Sequence, residues 1–221
     1  MPGALMFSGG KDSFYSYIIF RERYGVDVDY LIFLRPTFAS PHELNSHVVY
    51  LLGRLLGKRI ITASSGNISD VLINLGVDFL IAADIYVWDH LYWLERICEN
   101  AGVDLVEPLL CRDTYGVVED AVRRGIEFVI IAINKKVNET SLRNLLGFVV
   151  NVDTLDKFLD IVDLLSIDPA GESGEYHSLV TCAPVLPCKI IPCQAKVCHV
   201  GRYLALGFGN VLLEWRGSVK I

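Results

Sequence analysis

The first 133 residues repeat one pattern, and that pattern is the strongest constraint on the fold. A short, almost unbroken apolar run is followed by a segment whose apolar residues recur every three or four positions. The runs are Leu5–Phe7, Tyr30–Leu34, Arg59–Thr62, Phe79–Ala82, Leu105–Val106 and Phe128–Ile133. A strand with one wet face alternates apolar and polar residues; an unbroken apolar strand needs cover on both faces, as in a parallel sheet. The intervening segments carry helix signals. Phe14, Tyr17 and Ile18 share a face in 12–24, and Leu44, Val48, Leu51, Leu52 and Leu55 are in register in 43–56. Asn67 can cap a helix that stops at Gly76, and Asp113 one that runs to Gly125. Val87, Leu91, Leu94, Cys98 and Ala101 mark another helix between these two. The order predicts an α/β fold, a doubly wound parallel sheet with right-handed crossovers. Ligands in such sheets bind at the carboxyl ends of the strands, where the strand order reverses.

Beyond residue 133 the pattern changes. Residues 139–146 and 153–165 read as helices, the second capped by Asp153. A polar segment, Asp168–His177, precedes a tail rich in Val, Ile, Leu and Cys and broken by Pro184, Pro187, Pro192 and glycines. That tail predicts antiparallel strands. The expected division is a domain over 1–133 and a smaller α+β region over 134–221.

The composition, 52% hydrophobic and 21% charged, is that of a packed globular chain. No apolar run reaches the roughly 20 residues of a membrane helix, and the N-terminus reads as a core strand without a leader, so a cytoplasmic protein is expected. A net charge of −6 argues against nucleic acid and for a small molecule or protein as partner. The six cysteines form no CxxC pair and are expected to be reduced, packed thiols, with zinc or disulfides as alternatives.

The chemistry is expected in Ser8-Gly9-Gly10-Lys11-Asp12-Ser13, which follows the first strand and opens the first helix. Two glycines permit a sharp turn and close approach of backbone to ligand. Amide hydrogens and the dipole at a helix N-terminus favour an anion. Ser8 and Ser13 add hydroxyls, and Lys11 adds a charge for phosphates. Asp12 beside a phosphate calls for an intervening cation, so Mg²⁺ with Asp12 as its ligand is expected. Leu5 stands where a Walker loop has glycine, and Asp12 where it has Ser or Thr.

The string resembles the pyrophosphatase loop of the N-type ATP pyrophosphatases, which share an adenine nucleotide α-hydrolase-like, Rossmann-like fold and release AMP and pyrophosphate. A second motif narrows the resemblance. Asp168-Pro169-Ala170-Gly171-Glu172-Ser173-Gly174-Glu175-Tyr176-His177-Ser178 is similar to the DPxGExGE(F/Y)H(T/S) signature of the diphthine–ammonia ligases. The likeness extends through Ala83-Asp84-Ile85, Glu95-Arg96-Ile97-Cys98, Glu107-Pro108-Leu109 and Leu146-Gly147. Ala83, Phe148 and Ala170 depart from the family's usual glycine, arginine and cysteine. The resemblance implies ATP-dependent amidation of diphthine on translation elongation factor 2, with ammonia as donor and an acyl-adenylate intermediate. Alternatives are another ATP pyrophosphatase acting on tRNA or a metabolite, or a non-catalytic ATP/AMP-binding module.

Read from the residues alone, Glu172, Glu175 and His177 form a compact acidic cluster that could hold a metal, or hold ammonium and take its proton. The expected catalytic set is therefore Lys11, Asp12, Glu172, Glu175 and His177. The nucleotide is expected on residues 8–13, with its base near Leu34 and Arg35, and Asp84 is added as a further contact. Weaker candidates are Asp89 and His90 after strand four, His42 and His47 near helix two, and Asn134, Lys135 and Lys136 at the end of strand six. Trp88, Tyr92 and Trp93 read as core or as a docking surface for a protein substrate, and His199 as a core histidine. Oligomeric state stays open, with a homodimer among the alternatives.

Overall fold

A computed structural model describes residues 1–35, 39–135 and 144–217. The first half builds a parallel sheet from β1 (Gly3–Met6), β2 (Tyr30–Arg35), β3 (Arg59–Ser64), β4 (Phe79–Ile81) and β5 (Asp104–Val106), in the order β3-β2-β1-β4-β5. Helices α1 (Lys11–Tyr24), α2 (Pro41–Leu44), α3 (Ser46–Leu55), α4 (Ile68–Leu75) and α5 (Trp88–Ala101) connect the strands. Adjacent strand residues enter different cores: Ala4, Ile32 and Leu80 pack with α4 and α5, while Leu5, Leu31 and Ile81 pack with α1 and α3. Side chains alternate between the faces of a strand, so a sheet covered on both sides must be apolar at every position. The expected doubly wound α/β class is what the chain adopts.

The strand order reverses between β1 and β4, which places the carboxyl ends of these two strands around a crevice. One strand expectation is corrected. The run at Phe128–Ile133 lies in β6 (Glu127–Asn134), which pairs antiparallel in a second sheet rather than extending the first. This sheet follows α6 (Thr114–Arg123) and contains β7 (Val149–Val150), β8 (Tyr176–Cys182), β9 (Cys188–Val200) and β10 (Tyr203–Trp215). Seven of the eight β6 residues are buried, so its composition is that of any doubly covered strand. The expected antiparallel tail is present as β8, β9 and β10. α7 (Leu155–Leu165) covers this half through Phe158 and Val162.

Three local expectations change. The helix expected over 43–56 is two helices, because the buried Asn45 turns its side chain outward to β10. Its Nδ2 donates to the Leu206 carbonyl at 2.8 Å, and its Oδ1 accepts from the Phe208 amide at 3.0 Å. α4 begins after Asn67 and ends at Gly76, but Asn67 caps nothing; its Oδ1 accepts from the Ser64 amide instead. α7 begins after Thr154 rather than at Asp153, and Asn151 Oδ1 takes the Asp153 and Thr154 amides. Asp113 does cap α6, accepting from the Gly116 amide at 2.7 Å. The helix expected over 139–146 falls mostly outside the described residues. No described helix is long and apolar enough to cross a membrane.

Candidate active site

The loop between β1 and α1 is clamped between the two sheets. The Val180 amide of β8 donates to the Gly9 carbonyl at 2.9 Å, and the Lys11 amide donates to Ser178 Oγ at 3.2 Å. Gly9 adopts φ +76°, where a side chain is disfavoured. Ser8 Oγ accepts from the Gly10 amide, and Ser13 Oγ donates to the Gly10 carbonyl. No side chain caps α1, so its N-terminus stays available to a ligand.

Two cavities meet over this loop. One, about 760 Å³, is bounded by Ser8, Gly10, Lys11 and Asp12 on one side and by Ala170–Gly174 and Tyr176–Ser178 on the other. Asp84, Tyr86, Trp88, Asp89, Arg202 and Tyr203 complete its wall. The second, about 400 Å³, is largely apolar, with Met6, Phe7, Ile32, Phe33 and Leu34 at the carboxyl ends of β1 and β2. Ser8, Asp12, His42, Asp84 and His177 line both. The geometry suits a ligand with an apolar ring at one end, an anionic middle over the loop and a reacting group in the larger cavity.

The charges are unusual. Lys11 is 1% exposed, and its ammonium donates to Asp12 Oδ2 at 2.9 Å and to the Ala170 carbonyl. Burial alone would lower its pKa, but Asp12 and the neighbouring Tyr176 and Glu172 outweigh that, so it stays protonated. Glu172 is pushed up to about 7, first by burial and then by the Asp12 carboxylate; its Oε2 accepts from the Ile85 amide at 3.4 Å. Behind it, Glu107 is pushed up to about 8 by burial and Asp84. Glu107 Oε2 accepts from the Asp84 amide at 3.1 Å. Asp84 binds His90 Nδ1 at 2.7 Å, and His90 stacks on Trp93. The His42 and His177 rings meet edge to face, with centroids 5.2 Å apart. Burial drives His42 down to about 4 against the pull of the Ser8 carbonyl; burial and then His42 drive His177 down to about 3. Both imidazoles are therefore neutral near pH 7.

Asp12 Oδ1 is buried and has no partner. Among the described residues no group of three His, Cys, Asp or Glu is arranged to hold a metal ion. Asp12 Oδ1 would suit a cation such as Mg²⁺, which commonly takes few protein carboxylates and fills the rest of its shell with phosphate and water oxygens.

Ser8, Gly10, Lys11, Asp12, Ser13, Leu34, Asp84, Glu172 and His177 all border one or both cavities, with Gly9 in the same loop. Arg35 borders neither and pairs with Glu43 at 3.2 Å. Glu175 faces away, accepting from the Asp168 amide at 3.5 Å, and its buried Oε2 has no partner. Asn134 supports that turn, donating through Nδ2 to the Gly174 carbonyl at 3.0 Å. Lys135 Nζ donates to the Gly201 carbonyl, and Lys136 lies outside the described residues. Trp88 is half exposed at the larger cavity, Tyr92 is exposed outside both, and Trp93 packs into the core on α5. His47 is exposed. His199, expected in the core, is exposed on β9 because its strand is the outer one of the β9–β10 ribbon. Sequence reasoning missed Tyr86, Arg202 and Tyr203. A lone basic residue at a hairpin turn, Gly201-Arg202, was the available signal for the last two.

The chain matches the family model described as diphthamide synthase N-terminal domain over residues 1–105, and the diphthamide synthase C-terminal domain over 113–202. No curated protein matches it. A solved structure titled the predicted subunit of a tRNA methyltransferase from Methanocaldococcus jannaschii is 12% identical, over 83% of this chain and 98% of that one, with a TM-score of 0.44. That likeness is too distant to argue from. The two domain matches span nearly the whole chain and meet around the loop and acidic turn just described: the chain belongs to the diphthamide synthase family, the diphthine–ammonia ligases of the ATP pyrophosphatase superfamily.

Proposed function

We propose that the chain amidates diphthine on translation elongation factor 2, using ATP and ammonia and releasing AMP and pyrophosphate. One observation carries the reading: the phosphate-type loop and the Glu172 turn face each other across a single cavity that opens into an apolar cleft. The adenine would occupy the cleft beside Leu34, and the phosphates would lie on the N-terminus of α1, where amide hydrogens and the helix dipole favour them.

The substrate carboxylate oxygen attacks the α-phosphorus, the α–β bridging bond breaks, and pyrophosphate leaves. Asp12 would hold Mg²⁺, which offsets charge on the phosphates. Ammonia then attacks the acyl carbon, AMP leaves with the bonding pair, and one proton must be removed from nitrogen. Glu172, its carboxyl pushed up to about 7 by burial and Asp12, would accept it. The neutral His177 is a poor proton acceptor, so its role is to wall the cavity. Trp88 and Tyr86 at the cavity edge would meet the protein substrate. The carboxylates lining the cavity disfavour an RNA backbone as substrate. A cytoplasmic setting follows from the same reading, since the elongation factor works there.

The test is incubation with ATP, Mg²⁺, ammonium and diphthine-bearing elongation factor 2, followed by mass analysis of the modified histidine. The reading expects conversion of the carboxylate to the amide with one AMP per amide. Unchanged substrate with full ATP occupancy would overturn it.

A further inference from the structure

The Lys11 ammonium is committed before any ligand arrives. It is sealed from solvent, held by Asp12 Oδ2 and the Ala170 carbonyl, and sits 5.2 Å above the centre of the Tyr176 ring. A buried ammonium is tolerated only when its hydrogen bonds are satisfied. Ala170 lies 159 residues away, in the turn that presents Glu172. That turn is gripped beside the same point: the Tyr176 hydroxyl donates to the Pro169 carbonyl. Asp168 Oδ1 accepts from the Ala170 amide at 2.8 Å and from the Glu172 amide at 3.3 Å. The bonded route from the ammonium to Glu172 is thus short, one carbonyl and two residues of chain.

We propose that Lys11 is a positioning residue: its ammonium fastens the Asp168–Glu172 turn to the phosphate loop, and so sets Glu172 against the incoming amine. This rests on the amidation reading above, and it gives the lysine a task different from binding phosphate. A phosphate ligand would matter chiefly for nucleotide affinity. A fastener of the turn matters for the step at Glu172 and for the order of the turn with nothing bound.

The two tasks separate in one set of measurements on the full chain and on its Lys11→Met and Tyr176→Phe variants, each checked for folding by circular dichroism. Amide hydrogen exchange of residues 168–177 without ligand reads the order of the turn. Titration with a non-hydrolysable ATP analogue and Mg²⁺ reads the phosphate site. Amide formation at varied ammonium reads the second half of the reaction. Loss of one charge-assisted bond should raise the KM for ammonium about tenfold while the nucleotide Kd moves by less than about threefold. Residues 168–177 should also lose protection in Lys11→Met. Tyr176→Phe removes the bond to the Pro169 carbonyl of the turn, keeps the ring under the ammonium, and should share the ammonium defect. Unchanged protection, or a nucleotide Kd raised by more than about threefold, would overturn the assignment. Should Lys11→Met not fold, the same readings on Tyr176→Phe decide. Failure of the wild type to form AMP would instead sink the amidation reading, while exchange and nucleotide titration would still judge the lysine.

Discussion

Gly9→Ala probes whether the phosphate-type loop is truly wedged between the two sheets. The backbone there has φ +76°, a region that costs an L-residue about 1–2 kcal/mol. An added Cβ would also lie 3.3 Å from each of Leu179 Cδ1, Leu52 Cδ1 and Val49 Cγ2. All three side chains are fully buried, so the methyl has no free direction and overpacking adds about 1–3 kcal/mol. Gly57→Ala is the internal control: its φ is +69°, and its Cβ would meet nothing within 4 Å. It should suffer the backbone cost alone, and the unfolded-state entropy change is shared by both variants. Urea denaturation should therefore place Gly9→Ala about 1–3 kcal/mol below Gly57→Ala. Because the Gly9 carbonyl accepts from Val180, the displaced loop should also lose nucleotide affinity, which Gly57→Ala should retain. Equal stability of the two variants would refute the clamped loop.

Other expectations follow from the same site. Asp12→Asn keeps the shape but removes the charge beside the orphan Oδ1, and Mg²⁺-dependent AMP formation should fall about a hundredfold, measured by single-turnover AMP release. Glu172→Gln/Glu175→Gln should lose amide product while pyrophosphate release continues, seen by separate assays of the two products. Glu107→Gln changes the pH dependence of stability. In the wild type the folded pKa is raised to about 8 from 4.5, so the stability linked to the protonated carboxyl is complete below 4.5 and is lost as pH rises through about 8. Thermal melts of wild type and variant should diverge between those pH values in favour of the variant, and parallel curves would contradict the burial of that carboxyl. His42→Ala should weaken nucleotide binding about tenfold, and His47→Ala should leave it unchanged, since only His42 borders the cavities.

What could be read from the sequence is what is local. Ser8–Ser13 states its own geometry, because a glycine pair, a polar cluster and a helix start are consecutive. The parallel sheet announces itself because its central strands, β1, β2 and β4, are apolar on both faces. β6 was misplaced by the same rule: buried on both sides, it has the composition of a parallel strand while pairing antiparallel with β8 and β10. Long-range pairings were hidden. Nothing near Asn45 indicates that its amide reads Leu206 and Phe208, and nothing near Lys11 indicates Ala170. Arg202 and Tyr203 reach the cavity only because β9 and β10 fold back as a hairpin beside β6. Arg35, placed at the nucleotide by its strand position, is drawn outward by Glu43, a partner eight residues on whose choice depends on the turn into α2.

The central claim is that the triphosphate rests on the first loop with its base in the apolar cleft. A crystal structure with a non-hydrolysable ATP analogue and Mg²⁺ tests it most directly. The account predicts phosphate oxygens on the residue 8–13 amides, a cation touching Asp12, and the adenine against Leu34. Nucleotide bound elsewhere, with the loop untouched, would contradict it.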